Sequence, residues 1–285
     1  MYQIEIKSMD LKQIANSGQC FRMKEAELSD CWMIQSAKDY VEAKKVERGF
    51  LFSCDESAFY QKWAAYFDFD TDYDWIKSQI EAEDEYLMQA IQDGAGVRIL
   101  RQDLWETIIS FLISQNNNMV RIKKSVEDLC IRFGTMRSDL GFYIGKGGEC
   151  LEGPKSYYTF PEPNCIFQAG IEGLSGLGLG YRDKYIYQMA KTCSTPEGEE
   201  WLQQLQEADY EKARALLMQQ YGIGKKVAEC ICLYGLHHIE AFPIDTHINQ
   251  ILGKHYPNGF PMERYKGFAG VIQQYMFYYK TANGL

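Results

Sequence analysis

Lys226 and Asp245 are the two residues of this chain whose types and spacing most clearly suggest catalytic chemistry. A neutral lysine amine is a nucleophile, and a carboxylate beside it could take up a proton or stabilise a cationic sugar. Lys226 is expected in the first turn of a helix, where the helix dipole disfavours a second positive charge and so favours the neutral amine. The pair predicts nucleophilic chemistry, provided that a helix and a loop fold Asp245 back beside Lys226.

The elements that would position this pair lie in residues 216–248, which indicate a helix, a tight turn and two further helices. Gly222-Ile223-Gly224 ends the first helix, because glycine adopts positive φ without steric cost. Apolar residues recur at helical spacing from about Lys225 onward, and Asp245 can begin the third helix. A glycine turn that opens a helix directs free backbone N–H groups outward, which suits a phosphate but reads no base sequence. The alternative is a plain helix–helix turn with a solvated lysine and an N-capping aspartate.

The composition indicates a globular protein that is not embedded in a membrane. The 285 residues are 46% hydrophobic and 24% charged, enough for a sizeable core and one to three domains. No long uncharged apolar stretch occurs, and the N-terminus lacks the pattern of a signal peptide, so neither a membrane span nor secretion is expected. The odd count of nine cysteines then favours free thiols in a reducing cytoplasm over a disulfide framework.

The net charge of −9 would argue against a nucleic-acid partner if it were evenly spread. Residues 68–85, however, contain eight acidic side chains and a single lysine, so this segment accounts for most of the negative charge. Basic residues flank the motifs instead, for example Arg121, Arg182 and Lys225. Because the local field governs contact with a phosphate backbone, DNA remains a compatible partner, with weaker non-specific affinity than a basic protein would show.

The hydrophobic pattern changes near residue 67. Residues 1–67 hold short runs typical of an antiparallel sheet, with strands predicted at 2–6, 20–23, 31–34, 40–46 and 50–53. Helical spacing then dominates, with helices predicted at 59–67, 76–94, 104–114, 121–133, 184–192 and 200–221. Residues 135–162 show little periodicity and are predicted as a long connection with room for a short hairpin. The predicted fold class is α+β, with an N-terminal antiparallel β domain at 1–67 and an all-α domain at 68–285.

Seven collinear segments resemble the 8-oxoguanine DNA glycosylase branch of the helix-hairpin-helix (HhH-GPD) superfamily. They are SGQCFR, GVRILRQD, FLISQNNNMVRI, LGLGYRDKY, GIGKKVAECICL, FPIDTHI and GVIQQYMF. The similarity covers almost the whole chain except about 135–162. It implies a helix-hairpin-helix at about 210–236 within the helical domain and an active site in a cleft between helical subdomains. It also implies a glycosylase and abasic-site lyase that flips 8-oxoguanine out of duplex DNA, attacks C1′ with a lysine and cleaves the strand by β-elimination through a Schiff base.

The resemblance further implies a role for each matching position. Lys226 corresponds to the Schiff-base nucleophile and Asp245 to the essential carboxylate. The base-recognition positions are Gly18, whose carbonyl reads the oxidised base, Gln273 on the Watson–Crick edge, and Phe277 and Cys230 on the two faces of the base. The positions that fill the gap in the duplex or contact the orphaned cytosine are Asn116, Arg121, Tyr181 and Arg182. The positions that contact phosphates are Gly222, Gly224 and His247.

The chemistry of the base supports the role of Gly18. Guanine presents an acceptor at N7, whereas 8-oxoguanine presents a donor, so one backbone carbonyl attracts the oxidised base and repels the normal one. A buried polar group without a partner costs about 1–3 kcal/mol, which is the size of this discrimination. Glycine permits the close backbone approach that such a contact needs, and the base must leave the stack to reach it.

No redox cofactor is expected, and an iron–sulfur cluster of the endonuclease III type is excluded because no cysteine follows Cys232. The resemblance implies a structural K⁺ or Ca²⁺ ion on the carbonyl oxygens of Met218, Gln220 and Ile223. The expected partner is duplex DNA with 8-oxoguanine opposite cytosine, bound by a monomer in the cytoplasm, or at the nucleoid of a bacterium. Two alternatives are a related glycosylase for another damaged purine and a non-catalytic helix-hairpin-helix module, which would need the hairpin but neither Lys226 nor Asp245.

Overall fold

The computed structural model describes residues 1–26, 30–144 and 150–284. Its helices are α1 (Leu11–Asn16), α2 (Glu56–Ala58), α3 (Ala64–Tyr66), α4 (Tyr73–Ser78), α5 (Glu85–Asp93), α6 (Leu104–Ser114), α7 (Met119–Phe133), α8 (Pro163–Gly173), α9 (Asp183–Cys193), α10 (Pro196–Glu207), α11 (Tyr210–Met218), α12 (Lys225–Tyr234), α13 (Thr246–His255) and α14 (Ala269–Ala282). Its strands are β1 (Tyr2–Ile4), β2 (Met23–Glu25), β3 (Cys31–Ser36), β4 (Asp39–Lys45), β5 (Phe50–Phe52), β6 (Met136–Ile144) and β7 (Cys150–Tyr158). A π-helical turn, Phe59–Trp63, joins α2 to α3, and a 3₁₀ turn, Gly180–Arg182, precedes α9.

The described residues form two compact units. The first comprises Met1–Lys7, Phe21–Tyr66 and Ile108–Leu202, and the second comprises Ser8–Cys20, Phe67–Thr107 and Gln203–Leu285. Each unit therefore draws its segments from several parts of the chain, and both contain helices. The contiguous domains at 1–67 and 68–285, and the cleft between helical subdomains, stay predictions.

The first unit contains a sheet of five antiparallel strands in the order β1-β5-β4-β3-β2. This confirms the predicted N-terminal antiparallel sheet and, with the helices that follow, the α+β class. One strand is displaced from its predicted position at 20–23. Pairing begins only at Met23, which lies opposite Ile34 in β3, because the preceding residues form a turn around Gly18 instead.

Two predicted helices are each divided in two by an aspartate that caps a new helix. Asp84 accepts the backbone N–H of Leu87 at 2.9 Å and begins α5, so the helix predicted at 76–94 becomes α4 and α5. Asp209 accepts the N–H of Lys212 at 2.9 Å and begins α11 within the predicted helix 200–221. Such a carboxylate satisfies a backbone donor that the helix itself leaves unpaired.

Residues 135–162 are more regular than the sequence predicts. Strands β6 and β7 pair along their full lengths as an antiparallel hairpin, and α8 begins at Pro163. A buried carboxylate in β4, Glu42, anchors this hairpin, because it accepts the N–H of Phe142 at 2.6 Å and lies 3.6 Å from the Lys155 ammonium. The anchor couples residues far apart in the sequence, so the local pattern could not reveal it.

Two helices of the second unit, α12 and α14, carry predicted site residues and are deeply buried. All residues from Val227 to Tyr234 and from Ala269 to Met276 are buried. Gly270 lets α14 approach the loop after α12, since a Cβ at this position would lie 2.3 Å from the Ala241 carbonyl oxygen. The loop that leads to Asp245 is thereby held against α14. None of the described helices is long and apolar enough to cross a membrane.

Candidate functional site

Helix α11, a short turn and α12 form the helix-hairpin-helix of the second unit, as predicted. Gly222 has a φ of 90°, in the region that favours glycine, and reverses the chain. Gly224 is extended and begins α12 as its N-cap, so Lys225 and Lys226 occupy the first turn. Ile223 between the glycines is buried and fixes the turn on the core. The amides at the start of α12 are thus held at the positive end of a rigid helix.

Lys226 lies one helical turn before Cys230 and is only partly exposed, whereas Lys225 is exposed. Burial raises the pKa of the Cys230 thiol, and the carboxylate of Asp245 raises it further. The ammonium of Lys226, which hydrogen-bonds the thiol, acts in the opposite direction. The structure therefore places both the predicted nucleophile and the predicted carboxylate near enough to Cys230, one predicted wall of the base pocket, to alter the pKa of its thiol.

Asp245 is the N-cap of α13. Its Oδ1 accepts the backbone N–H of Ile248 at 2.8 Å, and the side chain remains partly exposed. The capping role and the predicted chemical role are compatible, because one oxygen fixes the orientation of the carboxylate while its negative charge still acts on the Cys230 thiol beside Lys226. Buried Pro243 limits the backbone conformations of the loop before it.

Glu229 is a residue that the sequence reading missed. It lies in α12 between buried apolar residues, and its own side chain is buried. Its carboxylate accepts hydrogen bonds from the Tyr210 hydroxyl at 2.6 Å and from the Arg214 guanidinium at 3.3 Å. Burial raises the pKa of Tyr210 and Glu229 raises it further, so the phenol stays protonated as a donor. The sequence does contain a signal for this role, because Glu229 is an acidic residue inside the apolar run of α12.

Three of the predicted base-recognition residues lie on or against α14, namely Gly18, Gln273 and Phe277. Gly18 has a φ of 78°, and a Cβ there would lie 2.8 Å from the ring of Phe277, so only glycine fits without displacing the ring. The Phe277 ring also meets the His247 imidazole edge-on, with centroids 5.7 Å apart. Gln273 lies one turn before Phe277, is 3% exposed, and its Oε1 has no hydrogen-bond partner among the described residues. A buried oxygen without a partner in the protein can accept a hydrogen bond from a ligand.

The remaining predicted DNA contacts lie in the first unit. Asn116 is exposed in the left-handed region with a φ of 47°, and Tyr181 is 50% exposed. Arg182 is buried, donates to the carbonyl oxygens of Gln115 at 2.7 Å and Asn116 at 2.8 Å, and lies over the Tyr181 ring at 4.7 Å. The guanidinium therefore fixes the loop that carries Asn116, while its contact with the orphaned base stays a prediction. Arg121 lies in the first turn of α7, and its side chain is exposed to solvent.

The carbonyls predicted to hold a cation lie around the hairpin turn. Met218 is the last residue of α11, where carbonyls have no intrahelical donor. The carbonyl of Gln220 accepts the N–H of Ile223 at 3.1 Å and retains a second lone pair. Oxygen donors of this kind suit K⁺ or Ca²⁺.

Known proteins are similar to this chain in sequence and in fold. Residues 1–108 match the family described as 8-oxoguanine DNA glycosylase, N-terminal domain. The structure of MBOgg1 in complex with a low-affinity DNA ligand has 35% identity and a TM-score of 0.84, and the match covers 98% of this chain and 94% of that one. The Clostridium acetobutylicum 8-oxoguanine glycosylase/lyase, in complex with duplex DNA that has cytosine opposite 8-oxoguanine, has 28% identity and a TM-score of 0.85, with coverage of 98% and 94%.

A curated relative is the Saccharomyces cerevisiae N-glycosylase/DNA lyase, which is 36% identical over 170 residues. That match covers 56% of this chain but 42% of the yeast protein, so this chain spans less than half the length of that relative.

Proposed function

The chain belongs to the 8-oxoguanine DNA glycosylase family, and we propose that it excises 8-oxoguanine from duplex DNA and cleaves the resulting abasic site as a lyase. The observation that carries the proposal is the arrangement at the start of α12. Lys226 lies there and hydrogen-bonds the thiol of Cys230, and the carboxylate of Asp245 raises the pKa of the same thiol. All three residues belong to the unit that also holds the Gly18–Phe277 contact.

Recognition requires the damaged nucleotide to leave the helix stack. The flipped base would lie between the Phe277 ring and the Cys230 thiol, which replace its stacking neighbours. Gln273 would pair with the Watson–Crick edge, since its amide can both donate and accept. The carbonyl of Gly18 would accept the N7 proton that only the oxidised base carries.

Excision then follows from the lysine and the carboxylate. The lone pair of the Lys226 amine attacks C1′ as the bond from C1′ to the base nitrogen breaks, and the base leaves with its bonding electrons and takes up a proton. Asp245 stabilises the positive charge that develops on the sugar. The nitrogen loses a proton and the bond from C1′ to O4′ breaks, so that O4′ becomes a hydroxyl group and a protonated imine forms at C1′. Removal of a C2′ proton then expels the 3′ phosphate by β-elimination, and hydrolysis of the imine releases Lys226.

The DNA backbone would be bound mainly at the hairpin. The amides at Gly222 and Gly224 and the imidazole of His247 would contact phosphates near the lesion. The carbonyls of Met218, Gln220 and Ile223 would hold K⁺ or Ca²⁺, whose charge would attract a phosphate to the same turn. We expect the affinity to fall as salt rises, because phosphate contacts release counterions.

In the first unit, Tyr181 and Asn116 would fill the space that the flipped base leaves, and Arg121 and Arg182 would address the orphaned cytosine. The protein would act as a monomer on duplex DNA. This substrate places it with the chromosome, which in a bacterium is the cytoplasmic nucleoid.

Single-turnover assays on matched duplexes test the proposal. One duplex carries 8-oxoguanine opposite cytosine, the other carries guanine at that position, and borohydride is added to trap the imine. We expect base release, strand scission and a trapped adduct with the first duplex only. Excision of a different damaged purine, with 8-oxoguanine left intact, would support the related glycosylase instead. Binding without base release or adduct on any damaged duplex would support a non-catalytic module.

A further inference from the structure

A second glutamine of α14, Gln274, holds the peptide group that precedes Gly18. It is 1% exposed, and its Nε2 donates to the Ser17 carbonyl oxygen at 2.5 Å. Its Oε1 accepts the hydroxyl proton of Tyr234, the last residue of α12. The orientation of the amide is fixed by chemistry, because the Ser17 carbonyl can only accept and must face the NH₂ group.

The residue that follows Gly18 is held as well. The side chain of Gln19 is fully buried, donates to the Arg98 carbonyl at 2.8 Å and accepts the Leu100 N–H at 2.8 Å. The Gln19 carbonyl accepts a hydrogen bond from the Gln102 side chain at 2.8 Å. Gly18, which has no side chain to limit its own rotation, is therefore fixed by buried hydrogen bonds on both sides.

We propose that Gln274 is a positioning residue for recognition of the oxidised base. By fixing the Ser17–Gly18 peptide plane at the φ of 78° that Gly18 adopts, it directs the Gly18 carbonyl toward N7. This inference rests on the proposed function and deepens it. Hydrogen bonds weaken steeply with misalignment, so a carbonyl that rotates freely distinguishes an N7 donor from an N7 lone pair poorly.

Consecutive residues of α14 thus serve two sides of one pocket. Gln273 presents a buried acceptor without a partner among the described residues, and Gln274 uses both ends of its amide on the protein. Tyr234 connects this arrangement to α12, the helix that carries Lys226. Burial raises the pKa of Tyr234 far above its ordinary value, which keeps the hydroxyl proton available.

The test compares three reactions of Gln274→Met, whose side chain has a similar length but cannot hydrogen-bond. The substrates are a duplex with 8-oxoguanine, a duplex with an 8-oxo analogue that has carbon in place of N7, and a duplex with a preformed abasic site. We expect excision of 8-oxoguanine to slow by about 10-fold to 100-fold, as for loss of one buried hydrogen bond, and the preference over the analogue to shrink toward one. Cleavage of the abasic site should stay within about twofold, because that reaction needs Lys226 but no base in the pocket.

Tyr275→Phe on the same helix is the matched control, because the Tyr275 hydroxyl is buried without a hydrogen-bond partner among the described residues. It should leave all three rates unchanged. If Gln274→Met does not fold, Tyr234→Phe removes the bond that anchors Gln274, and the same loss of preference is expected. An unchanged preference in these variants, or an equal loss in all three reactions, would overturn the positioning role. Failure of the unaltered protein to excise 8-oxoguanine would instead overturn the proposed function itself.

Discussion

The buried carboxylate of Glu229 accepts the backbone N–H of Phe242 at 3.3 Å, three residues before Asp245. The same carboxylate accepts hydrogen bonds from Tyr210 and Arg214 in α11. One side chain in the helix of the predicted nucleophile therefore connects the first helix of the hairpin to the loop that carries the predicted carboxylate. This arrangement explains how α11, α12 and the loop before Asp245, which are separate in the sequence, are held together.

Replacement of Glu229 by glutamine should destabilise the fold and slow adduct formation. The amide cannot accept from all three donors through both of its terminal atoms, so buried donors lose partners, at a cost of about 1–3 kcal/mol. Urea unfolding gives the free energy of unfolding, and single-turnover trapping gives the rate. Glu211→Gln is the control, since Glu211 contacts the same Arg214 at 2.9 Å but its side chain is 71% exposed. Equal effects of the two substitutions would show that the connection to Phe242 contributes nothing.

A buried charge cluster in the second unit should make stability depend on acid pH. Burial by itself would raise the pKa of the Asp68 carboxyl. The pKa nevertheless lies below its ordinary value of 3.8, because His237 Nε2 lies 3.1 Å from Asp68 Oδ2 and the Tyr73 hydroxyl donates a hydrogen bond to the same oxygen at 2.7 Å. A carboxylate with a lowered folded-state pKa adds stability above the unfolded-state pKa, and this stability is lost as pH falls through the folded-state pKa.

Asp68→Asn should therefore lower the free energy of unfolding at pH 7, and the difference from the unaltered protein should shrink below about pH 4. Urea midpoints measured between pH 3 and pH 7 check this. Asp70→Asn is the control, because Arg101 pairs with Asp68 at 2.8 Å and with Asp70 at 3.4 Å, and the Asp70 side chain is 81% exposed. Its effect should stay within about 0.5 kcal/mol. A constant difference between Asp68→Asn and the unaltered protein across this range would contradict the linkage.

The sequence predicted the elements whose signals are local. The glycine turn before Lys226, the helix that begins after Asp245 and the antiparallel strands all follow from neighbouring residues, and the structure contains them. Helix boundaries at Asp84 and Asp209 were missed, although the aspartates were visible, because apolar spacing continued across them. The hairpin of β6 and β7 was underestimated since its anchor, Glu42, is distant in sequence.

The candidate site shows the same limit. Gly18, Gln273 and Phe277 were assigned through resemblance, and the structure places Gly18 against Phe277 and leaves Gln273 with a buried acceptor. The supports of the site, Glu229 and Gln274, were not predicted. Each of them binds a backbone group of another segment, an N–H for Glu229 and a carbonyl for Gln274, and residue type alone gives no indication of such contacts.

Lys226→Gln should abolish the borohydride-trapped adduct while binding to the lesion duplex survives within a few-fold. The glutamine amide keeps a polar side chain of similar length but has no nucleophilic amine. Gel detection of the covalent complex and a separate binding titration measure the two effects. Lys225→Gln is the matched control because the neighbouring side chain is exposed, so trapping should persist. Loss of trapping in Lys225→Gln with retention in Lys226→Gln would reassign the nucleophile.

Tyr181→Ala should weaken binding to a lesion duplex by about fivefold or more, because an aromatic ring that replaces a flipped base contributes stacking energy. Binding to an abasic single strand should change much less, since that strand has no stack to fill. Tyr60→Ala is the control for loss of an exposed tyrosine, with 54% exposure against 50% for Tyr181. Arg182→Lys separates the stacking of Tyr181 from the support of the Asn116 loop. It removes hydrogen bonds to the Asn116 carbonyl but keeps the tyrosine side chain that would stack in the DNA. Equal losses on both DNAs in Tyr181→Ala would assign Tyr181 a purely structural role in covering Arg182.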